Sequence, residues 1–118
     1  MHHPPFKTGI GHMDKLGLRG SEEFAAVLAR HAQVQLVLCG HLHRVIHAVV
    51  GGRPVLTAPS PAHQVALDLA DDAPDHFIME PPGLQLHWWS GQQLVSHTVS
   101  IGEFEGPYPF RDGGKLID

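Results

Sequence analysis
The chain carries one cysteine, Cys39, in 118 residues. A lone cysteine rules out an internal disulfide framework and fits a reducing compartment. Lys and Arg together number 8 against 12 Asp and Glu, for a net charge of −4. That balance gives a nucleic-acid partner no electrostatic footing, and none is expected. No apolar run approaches the ~18 residues needed to cross a bilayer, and no signal-peptide pattern is visible. The expectations are no membrane partner and a cytoplasmic setting. No internal repeat or low-complexity segment stands out. Apolar residues make up 42% of the chain, enough for a modest core. The length fits one domain or a piece of one.

What the chain has in excess is histidine, 11 residues of 118. Histidine is neither a strong structure former nor a good solubiliser, so the excess invites a metal or acid–base explanation. The stretch that organises the rest is Leu36 to His43, reading Leu-Val-Leu-Cys-Gly-His-Leu-His. Its apolar residues fit a short buried strand, and Gly40 breaks it. Beyond a strand end the backbone is free to turn, so His41 and His43 can converge on one point. Imidazole is a common ligand for divalent ions, which makes this a candidate metal site. Two unrelated surface histidines are the plain alternative. Cys39, inside the apolar run, reads as a small core residue and not a nucleophile.

Residues 1 to 20 read as an irregular loop, barred from helix and interior strand by Pro4 and Pro5 and marked by four glycines. The start, Met-His-His-Pro-Pro, reads as the end of a strand whose body lies upstream; a purification-tag remnant is the other reading. Ser21 to about Ala32 reads as a helix. Ser21 is placed as its N-cap, and Phe24, Val27, Leu28 and His31 as its apolar stripe. Val34 to Leu38 is the buried strand. Val45–Val50 and Arg53–Thr57 form a hairpin about Gly51-Gly52, with His47 a half-exposed strand residue. Val65–Leu69 is a short strand or extended lead-in, and Asp71, Asp72 and Asp75 make a solvated acidic turn. His76–Met79 is another short strand. Leu84–Trp89 and Gln93–Ile101 alternate as an antiparallel hairpin, with His87 and His97 as sheet residues. Beyond Gly102 the chain turns irregular, yet Phe104, Tyr108 and Phe110 are too apolar for a free tail. They are expected to pack on this chain's sheet or on a neighbouring subunit.

Three imidazoles from two strand-end loops, His2, His41 and His43, can share one or two divalent ions. The His-His-Pro-Pro at 2–5 and the Gly-His-Leu-His at 40–43 are separated by a glycine-rich loop and a helix. Together they resemble the last two metal motifs of the calcineurin-like metallophosphoesterases. Their order and spacing look most like the branch that holds glycerophosphodiesterases and class III cyclic nucleotide phosphodiesterases. Pro61-Ala62-His63-Gln64 and the Gly106-Pro107-Tyr108 region also resemble that branch.

The resemblance implies an α/β fold: the C-terminal half of a four-layered αββα sandwich, with one main helix and a mostly antiparallel sheet. Residues 1–101 would be that half-domain, and 102–118 an irregular C-terminal extension, with a neighbouring subunit as one of its two expected packing partners. It implies two divalent ions (Mn, Fe, Zn or Co) in the full-length enzyme, activating a bridging hydroxide that attacks phosphorus in line. His2 and His41 would ligate one ion and His43 the other. His3 would lie in the second shell and His63 near the substrate, with no catalytic residue beyond the metal ligands. The substrate would be a small phosphodiester, of cyclic nucleotide or glycerophosphodiester type. Half a sandwich alone exposes strand edges and apolar surface, so a homo-oligomer is expected.

The chain also departs from the family pattern. It contains no asparagine, no Asp-x-His and no Gly-Asp. Without a bridging carboxylate, at most one ion can be held by this chain alone, with water in its open position. The expectation is therefore the C-terminal portion of a binuclear phosphodiesterase, inactive alone. The alternative is a non-catalytic dimerising fragment with at most one bound ion. A histidine-rich metal carrier is a third reading, and the ordered strand pattern speaks against it.

Overall fold
A computed structural model describes residues 1–116; residues 117 and 118, the end of the expected C-terminal extension, lie outside the described residues. The chain is mixed α/β with few helices and mostly antiparallel pairing. The sheet at its centre has three strands: β1 (Val37–Cys39), β2 (His47–Val50) and β3 (Arg53–Thr57), in the order β1-β3-β2. β2 and β3 are an antiparallel hairpin about Gly51-Gly52, while β1 runs parallel to β3.

The loop expected over residues 1 to 20 contains one helical turn, α1 (Gly11–Asp14). Asp14 organises it. Its carboxylate accepts hydrogen bonds from Thr8 N, Thr8 Oγ1 and Gly9 N at 2.7–3.0 Å. Burial opposes ionisation of Asp14, but these bonds and the nearby Lys7 outweigh it and hold the carboxyl below its ordinary range.

The main helix, α2, runs Ser21–Ala29, shorter than the sequence pattern predicts. Ser21 is its first helical residue and not its cap. Gly20 takes the cap position with a left-handed φ of 78°, a conformation a side chain would resist. The stripe is also narrower than expected. Leu28 is buried, but Val27 is exposed and His31 lies past the helix end. Ala25 turns inward instead, beside Phe24. The reason is the hairpin turn beneath. A Cβ on Gly51 would stand 2.3 Å from the Ala25 carbonyl oxygen, so only a glycine lets β2–β3 approach the helix this closely.

Two small cores result. Leu28, Cys39, Val50 and Val55 join α2 to the sheet. Ile10, Leu42 and Val65 form the second, beneath the connection from β1 to β2. Cys39 is a buried core thiol, as its sequence setting predicts, and burial pushes its pKa up, the opposite of an activated nucleophile.

The C-terminal strands pair among themselves. β4 (Gln64–Val65) pairs β5 (Phe77–Ile78), both shorter than the sequence predicts. β6 (Gly83–Trp89) and β7 (Leu94–Ser100), seven residues each, form a hairpin in the predicted region. A further hairpin, β8 (Arg111–Asp112) with β9 (Lys115–Leu116), lies in the extension that reads from sequence as irregular. Phe104, Tyr108 and Phe110 are exposed, so the first of their two expected resting places, this chain's own sheet, is not taken. The radius of gyration is 17.8 Å, against about 13.5 Å for a compact domain of this length.

Candidate metal centre
The centre forms at the carboxyl end of β1, where the N-terminus lies alongside. The Met1 ammonium donates to Leu38 O at 2.8 Å, and Gly40 N donates to His2 O at 3.0 Å. Two backbone bonds thus join segments almost forty residues apart. Pro4 and Pro5 are buried immediately after, which stiffens the exit from the histidine pair.

This docking brings His2, His3 and His41 together. One ring nitrogen from each lies within 4.8 Å of the others. The ring centroids are 5.0 Å apart for His2–His41 and 4.5 Å for His3–His41. His41 Nε2 is buried with no hydrogen-bond partner. Burial lowers the pKa of His41, and the neighbouring His3, His2 and His43 lower it further, so the neutral, lone-pair form is favoured. Three imidazoles this close, one of them with a buried, unpartnered ring nitrogen, are a donor set that fits a divalent ion.

His43 stands outside that three-residue group. It pairs with His63, ring centroids 4.9 Å apart, and His63 in turn lies 4.9 Å from Phe77. His43 Nδ1 is 3.1 Å from the His63 carbonyl oxygen. A carbonyl only accepts, so Nδ1 is the donor, and the neutral ring in this tautomer has its lone pair on Nε2. That is how ligating histidines are commonly oriented. His41 and His43 both adopt left-handed backbone, φ 71° and 52°. Such conformations in non-glycine residues carry strain and gather at functional sites. Between them Leu42 is 1% exposed and pins the turn into the second core.

Sequence reasoning places His3 beside the ligands; the structure brings its ring into the same group as His2 and His41. It passes over Arg44 altogether. That guanidinium donates to Val65 O at 2.8 Å and pairs with the Glu80 carboxylate. The Arg44 carbonyl accepts from the fully buried Thr57 Oγ1, which itself accepts from Ile46 N at 2.9 Å. Arg44 thereby ties the histidine turn to the loop carrying His63. Its only sequence signal is adjacency to His43.

No family model matches the chain. Known relatives do, and they support its reading as a portion of a metallophosphoesterase. Over an alignment of 121 positions covering the whole chain it is 53% identical to a probable glycerophosphodiester phosphodiesterase of Arcobacter nitrofigilis, of which it spans 44%. It is 30% identical over 92% of its length to a glycerophosphodiester phosphodiesterase of Enterobacter lignolyticus. To a probable cyclic nucleotide phosphodiesterase of Rhodopseudomonas palustris it is 35% identical over 90% of its length. The chain spans 38% of each of these last two proteins, so less than half of all three. Among the described residues no helix is long and apolar enough to cross a membrane.

Proposed function
We propose that the protein to which this chain belongs hydrolyses small phosphodiesters, of glycerophosphodiester or cyclic nucleotide type, with two divalent ions. In this reading residues 1–101 are the C-terminal half of a four-layered αββα sandwich, and the segment from 102 onward packs on a neighbouring subunit. His2 and His41 hold one ion and His43 the other. His3 completes the surroundings of the first, and His63 lies beside the substrate. The remaining ligands, including a bridging carboxylate, come from outside this chain. When bound, the ions supply Lewis-acid activation of water and neutralise charge developing on the phosphate.

The observation that carries the reading is the group of His2, His3 and His41, one ring nitrogen of each within 4.8 Å of the others, in which His41 Nε2 is buried without a partner. An unpartnered buried polar atom costs about 1–3 kcal/mol, and a metal ion would relieve it. The His43–His63 bond supports His43 as a ligand, because it fixes the tautomer that leaves Nε2 free. Other features support the remaining parts. The buried free thiol of Cys39 suits a cytoplasmic protein. The exposed Trp88, Trp89 and Phe110 suit a homo-oligomer.

Cobalt titration of the chain, followed by absorption spectroscopy, tests the centre. About one ion per chain is expected, with His41→Ala weakening binding at least tenfold while circular dichroism stays unchanged. Equal cobalt affinity in chain and variant removes the assignment. On the whole protein, the same substitution is expected to abolish diesterase activity.

A further inference from the structure
Beside the histidine group lies a pocket of about 410 Å³, walled by His3, His41, Lys15, Leu16, Leu18 and Arg19. It falls in the size range of small-molecule sites and is large for a lone ion. Its lining contains no acidic residue. That is unexpected in a chain of net charge −4. The explanation is Asp14, the one carboxylate between residues 7 and 20, which is held by Thr8 and Gly9. Asp14 lines a separate cavity with Pro4, Phe6 and Lys7. Lys15 and Arg19 make no ion pair among the described residues. Two free cations and two imidazoles therefore face one space, with Leu16 and Leu18 as its apolar side.

We propose that this pocket binds an anionic arm of the ester, a second phosphate group carried on the substrate, through Lys15 and Arg19. Arg presents a planar fork that matches phosphate oxygens, and Lys a mobile point charge. The apolar side accepts the organic part between the two phosphates. Substrates with cationic arms are disfavoured by the same two charges. The inference rests on the proposed function for the bound anion being a substrate, and it narrows that function to glycerophosphodiesters with a phosphorylated arm, since a cyclic nucleotide carries a single phosphate.

The test is calorimetric titration of inorganic pyrophosphate into the chain at low salt with a chelator present. Saturable binding is expected, weakened about tenfold in Lys15→Gln/Arg19→Gln through loss of two charge-assisted contacts. Both residues are exposed, so the fold is expected to survive, and circular dichroism verifies it. Arg30→Gln, on the exposed end of α2, is the charge control and is expected to bind as the parent does. No pyrophosphate binding by the parent, equal binding by the double variant, or an equal loss in Arg30→Gln overturns the proposal. The chelator separates the two readings. Cobalt binding without pyrophosphate binding overturns the pocket alone. Pyrophosphate binding without cobalt binding keeps the anion site and removes the metal centre.

Discussion
The sheet around β1–β3 and the β6–β7 hairpin use similar apolar residues in opposite ways. In the first, Val55 inside the sheet's core and Leu42 in the second core beside it are each 1% exposed, and the histidine turn sits on the second. In the second, Leu84, Leu86 and Trp88 occupy one face, paired across the hairpin with Val99, His97 and Val95. That face is largely open: Leu86 and Trp88 are each 56% exposed, and only Val95 on it is half-buried, while on the other side Gln85, His87 and Leu94 are half-buried and Trp89, Ser96 and Thr98 exposed. Antiparallel sheets with one covered face normally turn their apolar side inward. The difference teaches that the core region buries its apolar side chains beneath the histidine turn, whereas the hairpin carries apolar side chains that stay open among the described residues. The polar side of the hairpin contributes Ser96 and Leu94 to a 230 Å³ cavity over β2 and β3.

The contrast is broken most directly by Leu42→Ala, expected to cost about 2–5 kcal/mol in urea denaturation through the cavity it leaves. Because Leu42 sits between His41 and His43, cobalt affinity is expected to fall with it. A cost below about 1 kcal/mol would put this turn on a par with the hairpin. Next comes Gly51→Ala, which forces a Cβ toward the Ala25 carbonyl at a backbone φ of 55°. Its expected cost is on the order of 1–3 kcal/mol by thermal melting.

Asp14→Asn sharpens the same comparison on a pH axis and is expected to cost about 1 kcal/mol at neutral pH. The folded-state pKa of Asp14 lies below its ordinary value of 3.8, so its contribution is present above that pH. It fades as the pH falls further, and parent and variant stabilities should converge there. A gap that stays constant from pH 7 to pH 3 would contradict the role given to the carboxylate. The smallest effect on folding is expected for Trp88→Ser, within about 0.5 kcal/mol. Sedimentation is expected instead to show weaker self-association. A large stability loss would mean that the exposed face is covered within the chain after all.

The sequence by itself determined the local pieces. The double glycine at 51–52 fixed the β2–β3 hairpin, the alternation over 84–101 fixed the second one, and the glycine before His41 marked the strand end. Each is a property of neighbouring residues. Tertiary structure alone decided which histidines meet, because the bonds from Met1 N to Leu38 O and from Gly40 N to His2 O bring segments remote in sequence together. It decided that His3 joins them and that His43 turns to His63. It also decided which face of the hairpin is open. Alternation tells which residues share a face, but only packing tells which face is covered.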